Sequence, residues 1–537
     1  MYRCSGLSMA SLKSLILLAL MTGLPFLAKG QSNEWRAFWV DAFGAGFKSA
    51  TQVTTLINDV RAANANAIVP EIRKRGDAYY NGSIYEPRAT DISGASFDPL
   101  ADTIAKAHDT SGGKQRVEVH AWIVSYKIWG SQTTVPAASN PPHPYNAHPD
   151  WLTQDVNGAI WDGTSYSFDP GHPDVQRYTF DVCMDIISRY DVDGLNFDYI
   201  RYTGNTWGYH PVTVARFNAR YGRTGQPSPT DALWRQFRRD QVTALVRKVY
   251  LHTMAIKPWV KISADTITWG NSGVANDTQW FNSSAAWNDV LQDWRGWMQE
   301  GILDLSIPMN YYRHHNTTPP TDHATAYTNW MNFAKDHQFN RHTAIGPGTY
   351  LNYTSNAIIQ MRATRAPSPL GNYARGVCAY VYKQPDAQGT SFATFKNFLT
   401  TSPNAHDPSS QPLFGDKVSI PDMPWKSAPT RGHLMGTVYG SNTTNAVDGA
   451  VVIISGPVTR SQTNDATGFY GFVDLPAGNY SVTAAFPGYT NGTTNVTITI
   501  GNVATRDFVL MLQGPRADAE PNAAESKTSR SSFAKPG

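Results

Sequence analysis

Cysteine is almost missing from this 537-residue chain, which has only Cys4, Cys183 and Cys378. None of the three stands at metal-ligand spacing from a cysteine or histidine, and so few isolated thiols cannot staple a small disulfide-built fold. Charge is sparse too, at 16% of residues, and nearly balanced, with 45 Lys and Arg against 42 Asp and Glu. With no basic run among them, the electrostatic footprint of a nucleic-acid or anionic-lipid binder is missing. No apolar run after residue 30 could span a bilayer. Aromatic residues, by contrast, are abundant at 12%, with 16 tryptophans, many near strand ends or in loops. Their rings suit the flat apolar faces of sugars, so a poly- or oligosaccharide is the expected partner; a large core is the other use for them.

The one long apolar stretch lies in residues 1–30. Arg3 and Lys13 precede the run Leu15 to Leu20, which continues through Leu27 to Ala28-Lys29-Gly30. This order of basic, apolar and small residues predicts a signal peptide and a secreted, periplasmic or cell-surface protein. A retained anchor fits less well, because Gly23 and Pro25 interrupt the run. Without Arg3, Lys13 and Lys29 the balance becomes 45 − 3 = 42 basic against 42 acidic residues. Cys4 leaves with the signal, and Cys183 and Cys378 are expected to be buried thiols.

From Glu34 to about Thr400 strand-like and helix-like runs alternate. Strands are predicted at Arg36 to Asp41, Ala67 to Arg73, Val117 to Val124, Gly194 to Tyr199, Val260 to Thr266, Leu303 to Asn310, Thr343 to Tyr350 and Ala374 to Tyr382. A helical pattern follows each, including Leu233 to Met254 and Trp287 to Gln299. Eight such units predict an α/β fold of the (β/α)8 TIM-barrel type over residues 31–401. Residues 402–431 carry six prolines and read as an extended linker. Residues 432–512 turn to short Val-, Thr-, Ile- and Tyr-rich runs between Gly, Asn and Asp, the pattern of a small Ig/transthyretin-like β-sandwich. Residues 513–537 are polar and read as a disordered tail. This change of texture predicts that a chain ending near Asp407 folds and works alone.

The segment Val192 to Tyr202 is an apolar strand that ends in Asp198, Arg201 and Tyr202. A carboxylate at the C-terminal end of a buried parallel strand sits where barrels place their chemistry, so Asp198 is the first catalytic candidate. Glycoside hydrolysis needs two carboxyl groups, one kept protonated and one ionised. Asp265, at the end of the neighbouring fifth strand, is the best geometric partner, with Asp77, Asp41 and Glu71 as the other choices. Asp304 starts the sixth strand, on the stability face, and is discounted. Arg201 is placed to hold Asp198 ionised, which would leave the acid role to another carboxyl. The alternative gives that role to Asp198 itself.

Trp35 to Val40, Arg73 with Gly76 to Tyr80, His120-Ala121-Trp122 and Asp193 to Tyr202 together resemble the glycosyl-hydrolase-10-like family of secreted barrel proteins. The resemblance implies hydrolysis of O-glycosidic bonds. It also implies substrate contacts at Arg36, Trp39, Arg73, Asp77, Tyr80, His120, Trp122, Asn196, Arg201 and Tyr202, while the end of the sixth strand puts Asn310 and Tyr311 at the rim, placed to hydrogen-bond sugar. For several of these the residues themselves leave a second use open: Asp77 fixing Arg73, His120 satisfied inside the barrel, and Asn310 and Tyr311 simply packed. Gly436 to Tyr439, Asp448 to Ile453, Thr467 to Phe472 and Leu475 to Tyr480 resemble the carboxypeptidase regulatory-like domain. The fourth strand is also similar to that of chitinase-like family 18 barrels, with Asp193, Gly194, Asn196 and Asp198 in register. Ile200 replaces that family's acidic glutamate, however, so its mechanism does not carry over intact.

Neither a metal nor a cofactor is expected. Two other functional classes stay open: a non-catalytic glycan-binding barrel, and a metal-dependent carbohydrate de-esterifying enzyme, for which no His/Asp cluster at metal spacing is present.

Overall fold

The computed structural model describes residues 33–441 and 446–513. The expected signal peptide and tail lie outside the described residues, apart from Gln513. Eight parallel strands close into a barrel: β1 (Trp35–Val40), β2 (Ala67–Arg73), β3 (Glu118–Val124), β4 (Gly194–Asp198), β5 (Lys261–Thr266), β6 (Leu305–Asn310), β7 (His342–Pro347) and β8 (Gly376–Ala379). They hydrogen-bond in sequence order, and β8 closes on β1. All are buried on both faces, which is why they read as continuous apolar runs. Inward-facing Trp35, Ala37, Trp39, Ala67, Val69, Trp122, Leu305, Ile307, Ala344 and Cys378 fill the interior.

The outer wall contains α1 (Ala50–Ala62), α2 (Pro99–His108), α3 (Pro173–Arg189), α4 (Pro211–Tyr221), α5 (Ala232–Ile256), α6 (Trp294–Glu300), α7 (His323–Asp336), α8 (Thr354–Ala363) and α9 (Phe392–Thr400). The expected helix over 287–299 is broken between Asn288 and Trp294. Gln292 accounts for the break. Its side chain turns inward to accept from Ile267 N at 2.8 Å and to donate to Asp265 O at 3.2 Å, so this stretch follows the β5 backbone instead of a helix axis.

Residues 402–431 do not form a free linker. Glu34 N donates to Ser419 O at 2.9 Å, and Arg36 Nη1 donates to Asp416 O at 2.6 Å. Met423 joins the barrel-interior cluster, Trp425 Nε1 donates to Asp304 Oδ1 at 2.6 Å, and Lys426 pairs with Asp304 at 3.0 Å. The proline-rich segment is therefore a strap under the N-terminal mouth of the barrel.

The sandwich has β9 (Gly432–Gly440), β10 (Val451–Ser455), β11 (Arg460–Thr463), β12 (Phe469–Leu475), β13 (Gly478–Ala485), β14 (Gly492–Ile498), β15 (Val503–Thr505) and β16 (Phe508–Leu510). Its two sheets enclose Leu434, Val452, Ile454, Tyr470, Tyr480 and Val482. It is seated on the barrel, with Phe469 and Val473 belonging to the barrel's own core cluster. Asp448 bonds Arg216 and Arg220 at 2.6 Å each, and Asp474 bonds Arg341 at 2.7 Å. The two modules expected from the sequence are thus packed continuously against each other. Cys183 and Cys378 are free and buried.

Candidate active site

Strand parity and register put two carboxyl groups side by side at the C-terminal mouth. Asn196 pairs with Ser263 and Phe197 with Ala264 across β4 and β5, so the next step along both strands sets Asp198 beside Asp265, both facing inward. Asp198 Oδ1 accepts from Tyr199 N at 2.6 Å, and Oδ2 accepts from Trp122 Nε1 at 3.2 Å. Asp265 Oδ1 accepts from Trp39 Nε1 at 3.2 Å and from Asn196 Nδ2 at 2.9 Å. The Ser263 hydroxyl, 2.8 Å from Asn196 Oδ1, fixes that amide with its NH2 toward Asp265. Asp265 Oδ2 has no hydrogen-bond partner among the described residues.

Burial raises the pKa of both carboxyls, but unequally. For Asp198 it is opposed by the nearby Arg201 charge, the Tyr199 N–H, the Trp122 N–H and Lys127. For Asp265 the negative charge of Asp198 adds to burial and pushes it well above the usual carboxylate range, against the Asn196 and Trp39 donors. Two acids in one cleft share a proton unequally, and burial together with the Asp198 charge raises Asp265 further than Asp198.

A third carboxyl enters the same pit. Glu71 lies in register with Trp122 and accepts from Ala42 N at 2.8 Å. Burial, then the charges of Asp198, Asp41 and Asp77, raise it well above its ordinary value. Its signal in the sequence is one carboxylate on the inward parity of an otherwise apolar strand, Ala67-Val69-Glu71. Asp77 itself accepts from Arg75 N at 2.9 Å in the loop after β2.

Aromatic side chains wall the pit. Tyr311 and Tyr380 lie 5.2 Å apart between ring centroids, Tyr350 is 5.4 Å from Tyr380, and Trp39 is 5.9 Å from Tyr380. Beside them a cleft of about 140 Å³ is lined by Thr268, Trp269, Met309, Tyr311, Tyr312 and His323. Tyr199, Tyr350 and Tyr380, predicted to end or lie within strands, follow shorter strands that stop at Asp198, Pro347 and Ala379, and with Trp269 they are not among the candidate site residues. A separate cavity of about 170 Å³, lined by Arg220, Asp240, Arg247 and Asp465, belongs to the barrel–sandwich interface.

Trp39, Trp122, Asn196, Arg201 and Tyr311 thus surround the carboxyl pair, but six other candidates do not. Arg36 lies at the opposite mouth, where its Nε bonds Glu34 at 2.7 Å. His120 also lies toward that end, bonded to Glu118 at 3.0 Å and set against Trp35 at 5.2 Å. Arg73 is buried and spent on Glu86, at 2.7 Å, and on the Ser125 carbonyl; its partner is Glu86 and not Asp77. Tyr80 is fully buried against Tyr190, and Tyr202 is buried under Arg238. Asn310 points outward and donates to Tyr327 O of α7 at 2.9 Å. Among the described residues no group of three or more His, Cys, Asp or Glu is arranged to hold a metal ion.

A family model described as Glycosyl hydrolase-like 10 matches residues 26–345, and one described as Carboxypeptidase regulatory-like domain matches residues 433–511. The chain is 29% identical over 321 residues to the glycosyl hydrolase YngK of Bacillus subtilis (strain 168), covering 56% of this chain and 59% of that protein. It is 28% identical over 229 residues to the glycosyl hydrolase DigH of Escherichia coli (strain K12), covering 40% and 46%. The chain therefore spans about half the length of the curated relatives it matches. Among solved structures, the alpha-L-fucosidase isoenzyme 2 from Paenibacillus thiaminolyticus aligns over 68% of this chain and 48% of that one, with 14% identity and a TM-score of 0.44.

Proposed function

The chain belongs to the glycosyl hydrolase-like 10 family, and on that premise we propose that it is an exported glycoside hydrolase cleaving O-glycosidic bonds of a poly- or oligosaccharide through Asp198 and Asp265. The observation that carries this reading is the unequal carboxyl pair. Arg201 and two N–H donors hold down the rise in the Asp198 pKa, whereas burial and the Asp198 charge push Asp265 well above the usual carboxylate range, and on this difference we assign the proton to Asp265.

In this assignment Asp265 gives its proton to the glycosidic oxygen as the bond to the anomeric carbon breaks. The Asp198 carboxylate faces the positive charge that develops on the sugar. Water then supplies the hydroxyl group and returns a proton to Asp265, which restores the starting state. Trp39 and Trp122 hold the two carboxyls, and Tyr311, Tyr380 and Trp269 offer rings for the sugar to lie against. Export is read from the basic, apolar and small-residue order of residues 1–30.

Reducing-sugar release from a panel of polysaccharides tests the proposal. At least one substrate should be cleaved by the wild type and left intact by Asp198→Asn. Binding of glycans without any cleavage across the panel would instead identify a non-catalytic barrel.

A further inference from the structure

The surroundings of Asp198 deepen the glycosidase reading, and the role proposed for them rests on it. Tyr199 has a left-handed backbone, φ 46°, unusual for an aromatic residue. This conformation turns its N–H onto Asp198, while its ring gathers cations. Lys127 Nζ and the Arg201 guanidinium each lie 4.6 Å from the ring centroid, and Arg201 also lies 4.8 Å from the ring of Trp269. Arg75, whose guanidinium lies 5.4 Å from the ring of Phe43, is close enough to act electrostatically on both Tyr199 and Lys127.

The counter-charges nearby are too few. Asp162 stands 3.9 Å from Lys127, and its oxygens already accept from Thr164 and Ser165. Arg201 is only 8% exposed, yet among the described residues it has no ion pair, and its Nε has no hydrogen-bond partner. Among those residues the Arg75 side chain has no ion pair either. A buried guanidinium without an ion-pair partner is costly, the Asp198 and Asp162 carboxylates acting on Arg201 only at longer range, and three neighbouring cations repel one another. A neutral sugar hydroxyl offsets neither cost. An anion carried by the ligand offsets both, since its oxygens match the guanidinium fork.

We propose that Lys127 and Arg201, gathered at Tyr199, with Arg75 of the loop after β2 nearby, form a subsite for an anionic substituent, carboxylate or sulfate, on the sugar bound over Asp198. The substituent points toward the loops after β3 and β4. The cleavable glycan is then an acidic one.

Calorimetric titration of the full-length Asp265→Asn variant tests this, because that substitution slows turnover to a residual rate and puts an uncharged amide in place of the acid. Three oligosaccharides of one backbone are compared: neutral, uronate-bearing and sulfated. At least one anionic form should bind about ten-fold or more tightly than the neutral one, with a preference that shrinks as salt rises. Adding Arg75→Met and Lys127→Met should bring the anionic ligand down to the affinity of the neutral one, and Lys127→Arg should preserve the preference. Preference for uronate alone or sulfate alone identifies the anion. Equal or tighter binding of the neutral sugar overturns the proposal, as does a preference that survives the double methionine variant. If the preference holds but the wild type cleaves none of the three, the subsite stands and the hydrolase reading falls.

Discussion

Trp39 on β1 reaches across the barrel to Asp265 on β5, its indole Nε1 donating to Oδ1 at 3.2 Å. The two strands lie on opposite sides of the closed ring. One side chain therefore forms the floor of the pit and also steadies its more strongly perturbed acid. Because the indole N–H favours the ionised form of Asp265, its loss must raise that pKa further.

Trp39→Phe should accordingly move the alkaline limb of the pH–rate profile upward, since that limb reports deprotonation of the acid. Removing a hydrogen bond to a carboxyl at a packed position should also cost about 1–3 kcal/mol of stability. The profile of purified Trp39→Phe against wild type checks the direction, and a limb that stays in place or moves down contradicts it.

Asp265→Asn should abolish the alkaline limb, while Glu71→Gln should leave it. A Glu71 whose pKa burial raises well above the usual carboxylate range should lose little when replaced by an isosteric amide, so its variant should retain activity within about ten-fold of wild type. Loss of the alkaline limb in Glu71→Gln, with the limb intact in Asp265→Asn, would transfer the acid role to Glu71.

Much of the fold is legible in the sequence because barrel strands are marked twice, by apolar continuity and by the helix that comes after each. Asp198 and Asp265 can be paired on the same ground, since neighbouring strands with inward parity must bring strand-end residues together. Position along the strand separates Arg36 and His120 from the site: both precede the strand end and fall toward the stability mouth. Tyr80, Tyr202 and Asn310 follow or end strands and carry suitable chemistry. Their burial depends on Tyr190, Arg238 and α7, contacts distant in sequence that no local pattern reveals. The prolines of 402–431 rule out regular structure, but they do not tell a strap from a tether.

The strap has a consequence for truncation. A chain ending near Asp407 would lose the partners of Asp304 and Arg36 and would uncover the seat of Phe469 on α5. Its thermal midpoint should fall by many degrees, or it should be recovered insoluble. Wild-type melting behaviour in that truncation would show the barrel to be independent after all.

Three histidines lie at the same junctions: half-buried His252 against Phe469, and buried His433 and His342 against Tyr250 and Trp425. Desolvation lowers each to about 4. The unfolded chain, with histidines near 6.5, binds protons first on acidification. Their stabilising effect is therefore complete above about pH 6.5 and is lost as pH falls toward 4, by at most about 3 kcal/mol for each histidine. Melting temperature followed from pH 7 to pH 4 should decline through that window. A flat profile would contradict the assignment.

The most direct test of the central claim is the rate of glycosidic cleavage by Asp198→Asn, measured beside its affinity for the same substrate. The account predicts a folded protein that binds its glycan about as well as wild type and has lost at least about a thousand-fold in kcat, or roughly 4 kcal/mol of transition-state stabilisation. A variant that keeps most of the wild-type rate would contradict it.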